Sequence, residues 1–351
     1  MKEYVIEHKN NCLVMNFDKK EDRRYMNLLK ISGSPHVHTA DTVKKIMWTV
    51  IIALIPTMLF SFYYYGINAV RVTAISVAAC VVLEWIFQKW FLKTKPTITD
   101  GSAIITGLLL AFNLPSNLSW WIVIIGAVVA IGISKMAFGG LGKNLFNPAL
   151  VGRVFLLISF PQQMTSGFFP SKSFMSLDAT TGATPLALIK SALAEGKDPS
   201  EIVGLPDYLQ LMLGNMGGSF GEVAALAIIL GGIIMLVCRV ISWHIPVTFI
   251  GSVFIFAAVL HFVNPSLYIA PEFHILTGGL LLGAIFMATD MVTSPMSNAG
   301  KLIFGTGCGL LTILIRVWGS YPEGVSFAIL IMNAFVPLIN KGFKPKVFGG
   351  K

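Results

Sequence analysis

Five polar residues lie within or beside long apolar stretches of the sequence, where their oxygen atoms could bind a cation. These residues are Glu84, Asp100, Asn147, Asp290 and Asn333. Glu84 is the clearest example, because apolar residues lie on both sides of it in the run 81–86. A charge in the hydrocarbon of a membrane costs at least ~2.5–3.5 kcal/mol, and such residues often mark ion pathways. The five residues could therefore form part of a path for Na⁺ or H⁺.

Each of these residues also has a structural interpretation. Glu84 could pair with Lys89 near the membrane interface, and Asp100 and Asp290 could cap helices at the ends of short apolar segments. The two asparagines could make ordinary hydrogen bonds between helices. Oxygen ligands of these types suit a cation but are not diagnostic of one, so the sequence leaves both interpretations open.

A polar connection at 161–219 contains a run of small and hydroxyl-bearing residues, Asp178-Ala179-Thr180-Thr181-Gly182-Ala183-Thr184-Pro185. By itself this run indicates a turn that leads into a helix. Thr181 or Thr184 could be the N-cap, because a hydroxyl oxygen accepts a hydrogen bond from a free backbone N–H. Pro185 suits the first helical position, where no N–H donor is needed.

The chain around these residues has the composition of an integral membrane protein. Of its 351 residues, 55% are apolar and 12% are charged, whereas a soluble domain carries about 25% charged residues. Runs such as Ile46–Phe60 contain no ionisable side chain and are stable as helices in a lipid bilayer. The net charge of +9 is not arranged as a basic stripe with interleaved aromatic residues, so no nucleic-acid partner is predicted.

The predicted fold is an all-α polytopic membrane protein of about ten transmembrane helices. The predicted spans are 46–65, 68–92, 101–113, 118–138 and 147–160, followed by 220–240, 245–263, 275–289, 299–318 and 324–340. Segments 101–113 and 275–289 are shorter than the ~20 residues needed to cross a bilayer alone and contain glycine. They are therefore predicted to be broken helices near a site at the membrane midplane.

These spans predict five regions along the chain. They are an N-terminal segment at 1–45, a first five-helix repeat at 46–160, the connection at 161–219, a second five-helix repeat at 220–340 and a C-terminal tail at 341–351. The repeats resemble each other in Thr106-Gly107 and Thr277-Gly278-Gly279, in Pro115–Asn117 and Pro295–Asn298, and in the later cations Lys135 and Arg316. Because each repeat has an odd number of spans, the two should be inverted; coincidence between two apolar sequences is the alternative.

Lysine and arginine predict the orientation. Nine of them lie in the first 45 residues, so this segment should be cytoplasmic, as should the C-terminal tail. The 161–219 connection, with three lysines, then falls on the extracytoplasmic side. Arg71 and Arg316 do not fit this pattern.

The run at 178–184 resembles the flavinylation signature of a family with two branches, the RnfD proteins of Rnf electron-transport complexes and the NqrB proteins of sodium-pumping NADH:quinone reductase. In that family an acidic residue precedes [Ser/Thr]-Gly-Ala-Thr. The resemblance extends over residues 31–340. It includes Ser34–His38, Asn144–Ala149, Phe286–Asp290 and Thr293–Pro295, with Met291 where many members have proline. The shorter N-terminus favours the Rnf branch.

The resemblance implies that Thr184 carries FMN through a phosphoester, with Asp178, Thr181, Gly182 and Ala183 as the recognition sequence of a flavin transferase. Thr184 would be a tether, and no catalytic residue is predicted, because the redox chemistry belongs to the isoalloxazine ring. The quinone reductase branch also implies a second, non-covalent flavin such as riboflavin, without a position in this sequence.

The implied function is that of a redox-carrying membrane component, rather than a self-sufficient enzyme, in a ferredoxin:NAD⁺ oxidoreductase complex. Electron transfer in the complex would drive Na⁺ or H⁺ across a bacterial or archaeal cell membrane. The four cysteines form no C-x-x-C pair and there is no dinucleotide-binding fingerprint, so no metal site is predicted in this chain. Contacts with ferredoxin and NAD⁺ would belong to the partner subunits A, B, C, E and G.

Two other functions fit parts of the same sequence. The first is that of the quinone reductase branch, in which the flavin passes electrons towards a quinone. The second is a solute channel or transporter, because five-plus-five repeats with broken helices also occur in proteins that carry no electrons.

Overall fold

The chain separates into two units, Met1–Thr42 and Val43–Lys351, in a computed structural model. The structure describes residues 5–9, 12–16, 42–94, 96–165, 182–196, 205–214, 216–222 and 224–344.

The first unit contains a β-hairpin. Strand β1, Val5–Lys9, pairs in antiparallel fashion with strand β2, Cys12–Asn16. This hairpin corrects the all-α prediction, which rested on apolar segments long enough for membrane helices. A prediction from long apolar segments does not detect short strands. Strand β1 is of this kind, with the β-branched residues Val5 and Ile6.

The second unit is built from helices. They are α1 Val43–Ile86, α2 Ser102–Phe112, α3 Trp120–Ala127, α4 Pro148–Ser159, α5 Pro161–Thr165, α6 Pro185–Glu195, α7 Tyr208–Leu213, α8 Ala225–Val237, α9 His244–Val263, α10 Pro271–Leu276, α11 Leu280–Leu282, α12 Asn298–Trp318 and α13 Val325–Gly342. Wider π-helical turns extend α1 through Phe87–Phe91, α3 through Val128–Met136 and α11 through Gly283–Met287, and a 3₁₀ turn, Ile98–Asp100, precedes α2.

Within the described residues, four helical stretches are long and apolar enough to cross a membrane. They are Val43–Phe91, His244–Val263, Asn298–Trp318 and Val325–Gly342. Four shorter apolar helices accompany them: Ser102–Phe112, Trp120–Met136, Pro148–Ser159 and Ala225–Val237. This is the architecture of a polytopic membrane protein, as the composition predicts.

The first stretch is divided by a glycine. A straight helix of its 49 residues would be roughly 74 Å long, more than twice the thickness of the hydrocarbon core of a bilayer. Gly66 has a non-helical backbone, with φ 59° and ψ −149°, which residues other than glycine rarely adopt. The predicted spans 46–65 and 68–92 lie on either side of this break.

The predicted segment 275–289 is a broken helix, as expected. Helix α10 ends at Leu276, Gly278 adopts a left-handed φ of 67°, and α11 begins at Leu280. The predicted break in segment 101–113 is wrong, because its Thr106-Gly107 pair lies inside the continuous helix α2. A side chain on Gly107 would come within 2.7 Å of the Val77 Cα atom, so this glycine permits close packing of α2 on α1 rather than a turn.

Helix α2 lies at the centre of the helical unit. Every residue from Thr106 to Phe112 is buried, and α2 packs against α1, α3 and α4. A second close contact joins α9 and α12, where side chains on Gly305 and Gly309 would overlap Thr248 and Ser252. These small residues bring neighbouring helices close enough to hold the functional groups between them.

Candidate functional site

Thr184 lies at the N-terminus of α6. It is the N-cap residue, its Oγ1 atom accepts a hydrogen bond from the N–H of Ala187 at 3.2 Å, and Pro185 takes the first helical position. Thr184 is half-buried, whereas Gly182 and Ala183 are exposed. The structural interpretation of Thr184 as an N-cap is therefore confirmed, and its hydroxyl lies at the positive end of the helix dipole.

Two members of the predicted recognition sequence, Asp178 and Thr181, lie outside the described residues. The described residues of this sequence, Gly182 to Thr184, lie directly before α6 and form no regular secondary structure. Gly182 and Ala183 place little or no side chain next to Thr184.

Helix α6 is anchored to the connection between α12 and α13. The ammonium of Lys190 donates hydrogen bonds to the carbonyl oxygens of Gly319 and Tyr321, the latter at 2.8 Å. Burial lowers the pKa of Lys190. These bonds fix the position of Thr184 relative to the second half of the helical unit.

Thr184 borders a cavity of about 290 Å³, which we call the Thr184 cavity. Its walls come from the end of α2, the second half of α4, the segment before α8 and the α12–α13 connection. They include Asn113, Leu157, Gly217, Gly218 and Tyr321. The cavity brings together parts of the chain that are far apart in sequence.

A buried charge network forms one wall of the Thr184 cavity. Arg153 of α4 donates hydrogen bonds to both carboxylate oxygens of Glu323, one of them at 3.1 Å, and to the hydroxyl of Ser326. Glu222 lies 3.6 Å from the same guanidinium. Burial by itself would raise the pKa of Glu323, but Arg153 and Arg316 outweigh burial and lower this pKa below its ordinary value.

The network also holds the broken helix. The Oε1 atom of Glu323 accepts the N–H of Gly279 at 3.2 Å, just before α11. Arg316 donates to the carbonyl oxygens of His274 at 2.6 Å and Thr277 at 3.1 Å, at the end of α10. The carboxylate therefore lies at a positive helix end and the guanidinium at a negative one, which stabilises the break electrostatically.

Sequence reasoning missed Arg153, Glu222 and Glu323. Arg153 carried a usable signal, because it is the one ionisable residue in the apolar run Pro148–Ser159, as Glu84 is in its own run. Glu222 lies near the start of the predicted span 220–240 and Glu323 just before the span 324–340, where charged residues are ordinary, and only the fold brings them to Arg153.

A second buried cluster contains Glu84. Its Oε2 atom lies 2.6 Å from the ammonium of Lys135, which also donates to the hydroxyl of Ser102 at 2.8 Å. The predicted pair with Lys89 is wrong. Lys89 follows Glu84 by five residues and so lies on a different face of the helix, where its exposed ammonium stacks over Trp85 at 4.7 Å.

Lys135 borders a cavity of about 100 Å³, which we call the Lys135 cavity. Ser102, Asn144, Asn147 and Asp290 also line it. The structure therefore gathers predicted ion-path residues from both halves of the chain around one space.

Two of these predicted residues have capping roles. The Oδ1 atom of Asp100 accepts the N–H of Ser102 at 2.8 Å and so caps the start of α2. Asn147 is the N-cap of α4, not a residue inside the fifth span as predicted, because Pro148 starts the helix. The side chain of Asp290 accepts a hydrogen bond from the hydroxyl of Thr293 at 3.1 Å.

The two asparagines meet between the halves. The Asn147 amide donates to the carbonyl oxygen of Met287 at 3.1 Å. With its amide oriented to satisfy both neighbours, Asn333 donates to the carbonyl oxygen of Thr293 at 3.1 Å and accepts the N–H of Asn147 at 3.2 Å. These bonds fit the structural interpretation of both asparagines, and they hold the connection at 288–297 against α4 and α13.

The two cavities lie at opposite ends of the same short helices. On α2, Ser102 borders the Lys135 cavity, and Asn113, just after the last helical residue, borders the Thr184 cavity. On α4, Pro148 and Leu157 are placed in the same way. Helix α2 has 11 residues and is roughly 16 Å long. The short helices α2 and α4 therefore contribute to the walls of both cavities.

A family profile described as "NQR2, RnfD, RnfE family" matches residues 30–349. The chain belongs to the NQR2, RnfD, RnfE family. This confirms the resemblance inferred from the motifs, including its extent along the chain.

Named relatives within this family align over nearly their whole length. The chain is 43% identical to the D subunit of the proton-translocating ferredoxin:NAD(+) oxidoreductase complex of Clostridium ljungdahlii, with 92% of this chain and 97% of the relative covered. It is 42% identical to the D subunit of the Na(+)-translocating ferredoxin:NAD(+) oxidoreductase complex of Acetobacterium woodii, with 92% and 95% covered. It is 40% identical to the D subunit of the ion-translocating oxidoreductase complex of Stutzerimonas stutzeri, with 88% and 92% covered.

Proposed function

We propose that this chain is the D subunit of a membrane-bound ferredoxin:NAD⁺ oxidoreductase complex that translocates Na⁺ or H⁺. The observation that carries the proposal is the near-complete alignment, at 40–43% identity, with three proteins named as the D subunits of ion-translocating oxidoreductase complexes. Two of those names include ferredoxin and NAD(+), which favours this function over quinone reduction.

Within the complex, the chain carries FMN covalently on Thr184. The geometry at Thr184 supports this: a phosphate on its oxygen would lie at the N-terminus of an 11-residue helix, where free N–H groups and the helix dipole favour an anion. The Thr184 cavity next to it offers space for a planar ring. FMN would supply the electron transfer, while Thr184 tethers the group and α6 orients its phosphate.

Three substitutions of Thr184 separate attachment from helix capping. Thr184→Ser keeps both the hydroxyl and the cap, Thr184→Asn keeps a good cap but has no hydroxyl, and Thr184→Ala has neither. The chain is produced with a flavin transferase, and covalent flavin is measured by in-gel fluorescence after denaturation and by intact mass. We expect flavin on the wild type, flavin at or near wild-type levels on Thr184→Ser, and none on the other two.

Thr184→Asn is the decisive variant, because it removes the attachment chemistry while leaving α6 capped. A fluorescent Thr184→Asn protein, or a wild type at the bare polypeptide mass, would show that Thr184 is not the attachment residue. A second, non-covalent flavin such as riboflavin is also part of the proposal. It would be released on denaturation and would still be found with Thr184→Ala.

The proposed topology has ten spans in two inverted five-helix repeats, at 46–160 and 220–340. The two arms of α1 count as two spans and the broken pair α10–α11 as one. The N-terminal segment 1–45 and the tail 341–351 are cytoplasmic, and the connection 161–219 is extracytoplasmic, in a bacterial or archaeal cell membrane. The positive-inside distribution supports this orientation.

The membrane part of the proposal is an ion path around the Lys135 cavity. Asn147 and Asp290 line this cavity, and Asn333 joins it through Asn147. Glu84 and Asp100 contact two of its lining residues, Lys135 and Ser102. With the N-terminus cytoplasmic, this cavity is in the cytoplasmic half and Thr184 is on the opposite side. Partner subunits A, B, C, E and G would supply the ferredoxin and NAD⁺ sites.

A further inference from the structure

Lys135 is a buried cation in a position that needs an explanation. Its side chain is 2% exposed, and it lies in the π-helical extension of α3. Such π-helical widening occurs frequently at functional sites. A lysine there requires partners, because an ammonium without them is costly to bury.

The partners of Lys135 are the groups that a free cation would use. One is the carboxylate of Glu84 at 2.6 Å and the other is the hydroxyl of Ser102 at 2.8 Å. The Glu84 carboxylate also accepts a hydrogen bond from the Gln88 amide at 3.2 Å. The carboxylate of Glu84 and the hydroxyl of Ser102 are oxygen ligands of the kind that coordinate a monovalent cation, while the Gln88 amide holds the carboxylate in place through its N–H.

A second carboxylate lies on the wall of the same cavity as this ammonium. Lys135 is paired with Glu84, and Asp290 lines the Lys135 cavity with it. Two carboxylates therefore lie within reach of one ammonium in the described part of the chain. This leaves one carboxylate for a further monovalent cation.

We propose that the Lys135 ammonium is a resident cation that the transported ion displaces from Glu84 and Ser102. This inference rests on the proposed function and names a residue that the ion path had not included. When Na⁺ binds the Glu84 carboxylate and the Ser102 hydroxyl, or H⁺ binds the carboxylate alone, the ion pair with Lys135 breaks.

The released ammonium has a second carboxylate within the same cavity. The four-carbon stem of lysine is flexible, and the Lys135 cavity gives its head room to move from Glu84 towards Asp290. Ion entry and lysine displacement are therefore one exchange, after which each of the two carboxylates has one cation and the net charge of the cluster has risen by one. While the Lys135 ammonium is paired with Glu84, it occupies the cation position there and so prevents ions from leaking through the site.

The test compares Lys135→Met with Lys89→Met in membrane vesicles that contain the whole complex. Both changes remove one lysine charge, but Lys89 is exposed and stacks on Trp85. Electron transfer, ²²Na⁺ uptake and acidification of the vesicle lumen are measured on the same preparation. We expect Lys135→Met to lower ion uptake per electron pair by roughly tenfold, a typical size for coupling between sites, with electron transfer retained. Lys89→Met should behave as wild type.

A double variant keeps the test decisive if Lys135→Met does not assemble. Glu84→Gln with Lys135→Met removes both members of the ion pair, so the Glu84 carboxylate is not left without its cation and assembly should return. Assembly without ion uptake supports the exchange. Wild-type ion uptake per electron pair in either the single or the double variant overturns it, because the pair would then be only structural.

The electron acceptor distinguishes this inference from the proposed function. Vesicles are driven both by reduced ferredoxin with NAD⁺ and by NADH with a quinone. A wild type that works only with the quinone contradicts the proposed function, yet the ratio of ion uptake between Lys135→Met and wild type still decides the role of Lys135. The ²²Na⁺ and acidification signals identify the ion.

Discussion

The hydroxyl of Thr184 meets two separate requirements at one atom. As an N-cap it accepts the N–H of Ala187, and as the proposed ester oxygen it would carry a phosphate at the same helix end. The phosphate oxygens can accept the free N–H groups of α6 in place of the hydroxyl. Attachment of the flavin would then replace the cap rather than remove it, so α6 should stay intact in the mature protein.

Arg153 is the residue on which the charge network depends. It is paired with Glu323 and lies near Glu222, so its removal leaves a partly buried and a buried carboxylate without this guanidinium. Breaking a buried ion pair on one side is much more costly than replacing both partners.

We therefore expect Arg153→Met to destabilise the protein by about 3–5 kcal/mol, the cost of a buried charge left unpaired. Thermal denaturation of the detergent-solubilised protein measures the effect. Arg71→Met is the matched control, because Arg71 is exposed on α1 and should change the midpoint little. Equal midpoints for the two variants would mean that the network does not stabilise the fold.

At the scale of elements, the break between α10 and α11 connects the second half of the chain to α6. Gly278 has a φ of 67°, and a side chain on it would lie 2.6 Å from Leu186 and 3.1 Å from the guanidinium of Arg316. Leu186 is the second residue after Thr184. The break is thus packed directly against the start of the helix that carries the proposed flavin.

Two glycine substitutions distinguish backbone strain from this packing. Gly278→Ala and Gly140→Ala both place a side chain at a left-handed φ, but Gly140 has no atoms within 4 Å of the added carbon. We expect Gly278→Ala to cost about 1–3 kcal/mol more than Gly140→Ala, because only the former overfills its surroundings. Chemical or thermal denaturation compares them, and similar losses for both would leave strain as the whole effect.

For the whole molecule, the two cavities share the helices that would link the two proposed roles, flavin attachment at Thr184 and ion transport at Lys135. The Thr184 cavity and the Lys135 cavity share α2 and α4 as walls at opposite ends. A shift of either helix would change both spaces. Coupling through such rigid elements requires two arrangements of the helices whose balance both sites bias.

In the proposed orientation, the two cavities face opposite sides of the membrane. In a background without the native cysteines, Ser191→Cys on α6 and Lys341→Cys near the end of α13 place exposed reporters on the two sides. We expect an impermeant maleimide to label Ser191→Cys in intact cells and Lys341→Cys only after permeabilisation. Labelling of both in intact cells, or the reverse pattern, would contradict the proposed orientation.

Many local features of this protein follow from the sequence alone. The predicted spans 147–160 and 245–263 correspond to α4, Pro148–Ser159, and α9, His244–Val263, because apolar segments in lipid must satisfy their own backbone hydrogen bonds. Capping by Thr184 was among the local possibilities, since an N-cap involves only the next three residues. These outcomes depend on interactions over a few positions along the chain.

The partners of the buried charges were decided only by the tertiary structure. Glu84 is paired with Lys135, 51 residues away, rather than with nearby Lys89, and Arg153 with Glu323, 170 residues away. A buried charge must find a counter-charge, but hydropathy and spacing do not say which distant residue will provide it. That choice depends on which helices pack together, and helix packing is determined by the shape of side chains across the whole fold.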